Sequence, residues 1–467
     1  MHQTAASSPN SGKMPHDVFR HVDVQWQPSE PMLQRTAAVF TAFLSCFFAA
    51  GLTFGFSALM PSLLDDGAFH EDCLHKEHRT CHAQRLHLVW VFTLGSSASA
   101  LSTLPQGILL DWLGPRTCGL IFNATVAAGC VLFSMGGPGL WQTAYTTGFV
   151  LIAVGGSGVF VSTISFGNLF PGHAGLILAM LVACFDASMV IFELLTLLIS
   201  SGMAVRTTMR LYALLPAALA VCASLVWPRT NVPGEQERRT SGSEDSKSDL
   251  DFWGKVLSAD FFLFVYAAVV DVLCVNYFVA TVYPRLLSVP HDDAKMLNSA
   301  FAFLLPAGAF IYAPLIGFIL GQYGPAAGFL VFSGAYVIMV HVLMIFELGM
   351  LGGNFCVWVA FALFALCRPL LYASANALCG DLFSHRRHGQ MYGLAMTLGG
   401  FCSLCIRPLA GLAASDSYVK VDYGLLVLQV FSTALPLRVF WNASTLKPSK
   451  GEYSPVSQRD PLSEKEA

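Results

Sequence analysis

The chain alternates between long uncharged apolar runs and short polar knots. No Asp, Glu, Lys or Arg occurs between Arg116 and Asp186, nor between Lys295 and Glu347. Apolar runs of about 18 residues or more match the thickness of a bilayer core and are read as membrane-crossing helices. Twelve are predicted, at residues 36–60, 87–110, 117–135, 141–165, 174–200, 208–227, 259–283, 295–320, 326–346, 352–378, 389–413 and 423–441. A Ser/Gly-rich charged stretch, 228–255, divides them six and six and reads as a linker. Polar tails are expected at 1–35 and 443–467, with the two halves at 36–227 and 256–442. The predicted fold class is therefore an all-α polytopic membrane protein built as two six-helix bundles.

The halves repeat each other. Gly107-Ile-Leu-Leu-Asp111-Trp-Leu-Gly114-Pro-Arg116 follows the second span, and Gly317-Phe-Ile-Leu-Gly321-Gln-Tyr-Gly324-Pro325 follows the eighth. Gly167-Asn-Leu-Phe170 likewise returns as Gly380-Asp-Leu-Phe383. The two offsets, 210 and 213 residues, nearly coincide, which points to one duplication.

Composition sharpens the class. The chain is 55% hydrophobic and 12% charged. A soluble domain carries roughly a quarter charged residues, so a water-exposed surface is excluded for most of this one. A net charge of -3 excludes the basic footprint of a nucleic-acid binder. No HExxH or GxSxG motif occurs, and no enzyme, cofactor or metal is expected. The tail before the first span lacks a secretory signal pattern.

Eleven of the thirteen cysteines lie in or beside apolar runs. Cys73 and Cys81 stand in the aqueous loop 61–86, where a disulfide on an oxidising side is expected. Two free thiols, or a zinc site with His75, His78 and His82, are the alternatives. With the N-terminus inside, inner segments hold fifteen Lys and Arg against eight outside. Basic residues favour the inner side, so both termini are expected in the cytoplasm, in a plasma-membrane monomer embedded in lipid.

Gly107-x-x-x-Asp111-x-x-Gly114-x-Arg116 resembles the loop between helices two and three of the major facilitator superfamily. Trp112 replaces the usual basic residue, and Gly321 stands where an acid belongs in the second copy. Within that superfamily the first half resembles the L-type amino acid facilitators. The stretches that carry this are Phe48–Phe56, Phe92–Ser96 with Pro105 and Gly107, and Gly167–Phe170 with Phe185-Asp186-Ala-Ser188. The resemblance implies a carrier of a small solute working by alternating access, with spans one, four, seven and ten around a central cavity. Amino acids are the expected cargo by facilitated diffusion. Nucleobases or another polar metabolite are the alternative, as is a sensor that keeps the fold without transporting.

Ionisable residues inside spans are costly and mark function by default. Arg368 in span ten is the expected partner of a cargo carboxylate, since a guanidinium binds carboxylates bidentately. Asp271, or Asn276 with Tyr277, is expected to meet an ammonium, with Ser57, Phe54 and Tyr372 near the cargo. An internal pair such as Asp271 with Arg407 is the structural alternative. Asp186 and Glu193 are expected on one face of span five as a proton relay, as ion-pair partners of Arg368 or Arg407, or as polar cavity lining. Gly107, Asp111, Gly114 and Arg116 are expected to form half of a cytoplasmic gate. Gly51 and Gly55 leave room either for helix packing or for a ligand.

Overall fold

The computed structural model describes residues 31–73, 81–170, 174–229, 254, 256–287, 291–347, 355–383 and 388–445. Most of both tails and of the 228–255 linker lies outside them, as do His75 and His78. Twelve helices among the described residues are long and apolar enough to cross a membrane. They are α1 (Met32–Asp65), α2 (His82–Leu110), α3 (Trp112–Ser134), α4 (Gln142–Thr163), α5 (Met180–Ser200) and α6 (Val205–Val226). After the linker come α7 (Ala259–Leu286), α8 (Asp293–Leu320), α9 (Pro325–Glu347), α10 (Phe355–Cys379), α11 (Met391–Ser415) and α12 (Tyr418–Trp441).

Most helices bury one side and leave an apolar stripe outward, whereas α7 is buried all round from Val270 to Tyr283. On α6, Met209, Tyr212, Ala213 and Pro216 are buried, while Leu211, Leu214, Val221 and Leu225 form an outward row, the last 70% exposed. A stripe of this kind repeated round a monomer would be untenable in water and is the normal surface toward lipid tails.

Four of the expected spans are broken, α12 among them at Thr433. α1 passes through a π-turn at Cys46–Ala50 and a 3-10 turn at Leu52–Gly55 before resuming. Span five is two pieces, Ala174–Ala187 and Val190–Ser200. The breaks meet: a Cβ on Gly51 would overlap the Phe185 carbonyl, and one on Gly55 would overlap that of Met189. These glycines thus serve close helix packing. α11 is broken at Leu404–Cys405, two residues before Arg407.

The expected loop 107–116 shrinks to one residue. Helix runs from His82 to Ser134 and departs from helical geometry at Gly114, with φ 72° and ψ 166°. Gly324, between α8 and α9, has φ 80°. Both glycines precede a proline, so the repeat read from the sequence is also a repeat of positive φ. Past the turn, Arg116 donates from Nε to the Trp227 carbonyl at 2.6 Å and from its backbone N–H to Pro228 at 3.1 Å. It thereby serves carbonyls at the end of α6 that no helix bond reaches.

The halves touch along α2 and α11, where a Cβ on Gly400 would crowd Ala100 and Ser97, and again at the end that carries the disulfide. Lys295 of α8 meets Asp65 of α1 at 2.6 Å, and Asn298 donates to the Ser57 carbonyl at 2.8 Å. Gly411 of α11 faces Leu86 of α2. At the linker end, a Cβ on Gly107, Gly317 or Gly393 would meet nothing within 4 Å. The Asp111 side chain lies outside what is described.

Candidate functional site

Arg368 sits about 20 Å along α10 from Phe355 at 1.5 Å per residue, close to midway through the span. It is 2% exposed. Its Nη1 donates to Asp186 of α5, a short charged contact that joins the two halves. The guanidinium carbon lies 4.3 Å from the Phe54 ring centre and 5.5 Å from that of Tyr372. Phe185 and Phe160 extend this aromatic wall, with ring centres 4.8 Å apart. A buried cation costs several kcal/mol in desolvation. One carboxylate and two ring faces offset part of that cost.

The compensation is incomplete. Arg368 Nε is buried without a hydrogen-bond partner, as is Oγ of Ser188, two residues beyond Asp186. Buried polar atoms are nearly always satisfied, so this donor on a central cation is free to take an acceptor. The α5 break, forced by the Gly51 and Gly55 crossings, aims this part of α5 at α10.

The other expected residues fall elsewhere. Asp271 is fully buried and accepts from Ser432 of α12 at 3.0 and 3.3 Å. It is held against α12 inside its own half and pairs with neither Arg368 nor Arg407. Asn276 is buried with its Oδ1 unpartnered. The Tyr277 hydroxyl is also unpartnered, and its ring faces Arg285, 5.5 Å away. Ser57 is buried, with its carbonyl held by Asn298. Glu193 is 1% exposed, and Ser299 of α8 approaches its carboxyl without ordinary hydrogen-bond geometry. The break at residues 188–189 removes the continuous helix on which Asp186 and Glu193 were expected to share a face. Arg407 of α11 stacks on Trp90 of α2 at 4.9 Å, across the halves. Cys73 and Cys81 form the expected disulfide.

Sequence reading missed a second ionic cluster. Arg285, near the end of α7, holds Asp422 of α12 through two bonds of 2.5 and 2.6 Å and Glu347 of α9 at 3.2 Å. Tyr418 covers the guanidinium at 4.8 Å. All three ionic residues lie at or beyond the expected span ends, where charge reads as loop. The helices continue because the charges neutralise one another. This cluster lies within one half, whereas the Arg368–Asp186 pair joins both.

Comparison with known proteins agrees with this architecture. The chain is 29% identical over 453 residues to Protein FMP42 of Saccharomyces cerevisiae, covering 79% of this chain and 87% of that one. It is 24% identical over 210 residues to the human Large neutral amino acids transporter small subunit 3, covering 42% of this chain and 38% of that protein. It is 23% identical to the Equilibrative nucleobase transporter 1 of Bos taurus, covering 85% of this chain and 94% of that one. Among solved structures, the POT family transporter PepTSo superposes with a TM-score of 0.62 at 11% identity, over 89% of this chain and 98% of that one, a likeness of fold alone. The Major Facilitator Superfamily pattern matches residues 33–405. With twelve spans in two halves and a family match over most of its length, the chain is a membrane transporter that belongs to the major facilitator superfamily.

Proposed function

We propose that this transporter carries a small zwitterion, an amino acid first among candidates, and that Arg368 and Asp186 divide the cargo's two charges. The observation that carries this reading is the buried Arg368–Asp186 pair between the halves, with one guanidinium donor left over. A zwitterion entering between them gives Arg368 a carboxylate and Asp186 an ammonium. Each side chain exchanges one opposite charge for another, so neither is left bare in a site where a bare charge is costly. Asp186 thus takes the ammonium role that the sequence suggested for Asp271. Phe54, Tyr372 and Phe185 supply an apolar wall for the side chain. The amino acid and nucleobase transporters among the relatives leave both cargo classes open. A neutral nucleobase gives an ion pair no such exchange.

Transport follows by rocking of the two halves about this site, without covalent chemistry. Facilitated diffusion is the simplest mode, because Arg368 and Asp186 each face an opposite charge both with and without cargo. On the orientation favoured by the basic residues, both termini are cytoplasmic and the disulfide end faces outward, in the plasma membrane. The contacts of Lys295 with Asp65 and of Asn298 with the Ser57 carbonyl then lie on the outer side.

Uptake into proteoliposomes of labelled neutral amino acids, with nucleobases as competitors, tests the reading. Saturable uptake of an amino acid that nucleobases leave unchanged is expected. Saturable nucleobase uptake with no amino acid transport would overturn it. Replacing Arg368 by Gln removes a charge-assisted bond worth about 1.5–3 kcal/mol, so affinity should fall roughly 10- to 150-fold. An unchanged half-saturation concentration in Arg368→Gln would exclude the carboxylate role.

A further inference from the structure

A recess of about 130 Å³ lies at the disulfide end, away from the Arg368 site. Arg85 and Leu86 of α2 form one wall, and Pro284, Ala410 and Tyr418 of the other half form the opposite one, with His82 at the rim. Three features make it a site and not a packing defect. It spans both halves. Its volume is several times the roughly 30 Å³ that one water occupies in the liquid, yet below the 300 Å³ or more of a drug-sized pocket. Its charge is also one-sided. Arg85 Nε is buried without a hydrogen-bond partner, and no acid among the described residues pairs with this guanidinium. The nearby acids are engaged elsewhere: Asp65 with Lys295, Asp416 with Lys420, and Asp422 and Glu347 with Arg285.

We infer that this recess binds a small carboxylate and that its occupancy holds the disulfide end closed. Arg85 supplies the cation, the Tyr418 hydroxyl a donor, and Leu86, Pro284 and Ala410 an apolar floor for a short chain. Because the walls belong to opposite halves, the recess exists only while they meet at this end. A ligand that binds one state of a two-state carrier shifts the population toward that state. The site is therefore a brake separate from the transport site. It stands whether or not Arg368 holds the cargo.

Hydrogen exchange on the purified full-length carrier tests this, comparing sodium propionate with sodium chloride at equal ionic strength. Propionate should slow exchange in segments 82–89 and 410–418, and chloride should not. Arg85→Gln should need at least about tenfold more propionate for the same protection, whereas Arg85→Lys should need less than that. Arg368→Gln should respond as the unmodified carrier does. Alanine acting on the same segments in Arg368→Gln would name the cargo's own carboxylate as occupant, and propionate acting alone a separate metabolite; both support the site. Equal exchange in propionate and chloride would overturn it. So would protection that survives Arg85→Gln but is lost in Arg368→Gln.

Discussion

Arg285 and Arg368 are both buried guanidiniums, yet their surroundings ask different things of them. Arg285 has two carboxylates and three aromatic rings within one half. Breaking such a pair leaves an uncompensated buried charge and costs about 3–5 kcal/mol, whereas replacing both partners by apolar residues is often neutral. Arg285→Gln should therefore lower thermal stability sharply, and Arg285→Met with Asp422→Leu and Glu347→Leu should recover most of it. Equal destabilisation in the single and triple variants, measured by detergent melting, would show that the cluster contributes attraction beyond its desolvation cost. Arg368 has one carboxylate, two rings and an unpartnered Nε. Its replacement should disturb transport more than folding. The sequence singled out Arg368 because it stands alone in an apolar run, and hid Arg285 because it sits where a loop begins. Partnership across helices, which separates the two roles, leaves no local trace in a chain.

At the scale of the helix, glycines decide the geometry. The close crossing of α1 and α5 at Gly51 and Gly55 leaves no room for a methyl group against the α5 backbone. Gly51→Ala should reduce folded yield, with the loss read as lower recovery in size-exclusion chromatography. Recovery equal to the unmodified carrier would mean that α5 yields freely. Gly114 and Gly324 act through positive φ, and Gly114 lies where essentially only glycine is found, so an L residue costs on the order of 1–3 kcal/mol. Gly114→Ala and Gly324→Ala should each lower the melting temperature, and similar losses at both would confirm that the repeated turns bear equal strain. The twelve spans and the duplication were legible because apolar length and repeated Gly-Pro turns are local signals. The breaks in α1, α5, α11 and α12 were not. Pro408 and Pro436 follow the last two within a turn, whereas those in α1 and α5 carry no such mark and lie where the two helices cross at Gly51 and Gly55.

For the whole molecule, the question is what holds one end closed. The Lys295–Asp65 pair is largely exposed. Such pairs contribute about 0–1 kcal/mol, so this one is a minor latch. Packing of α2 on α11 and the Arg407 contact with Trp90 carry more of the closure. At the other end Gly107 and Gly317 face open space, which suits a gate that engages in the opposite state. On that reading Asp111→Asn should reach the membrane in normal amount but transport several-fold more slowly, and a normal rate would remove Asp111 from the gate.

The central claim is that the Arg368–Asp186 pair opens to clasp a zwitterion. The most direct measurement is a binding cycle on purified carrier with three ligands: a neutral amino acid, its decarboxylated amine and its deaminated acid. Each is titrated against the unmodified protein, Arg368→Gln and Asp186→Asn. The amino acid should lose affinity in both variants. The acid should be insensitive to Asp186→Asn relative to the amino acid, and the amine correspondingly insensitive to Arg368→Gln. Equal losses for all three ligands in both variants would contradict it and reduce the pair to a structural tie between the halves.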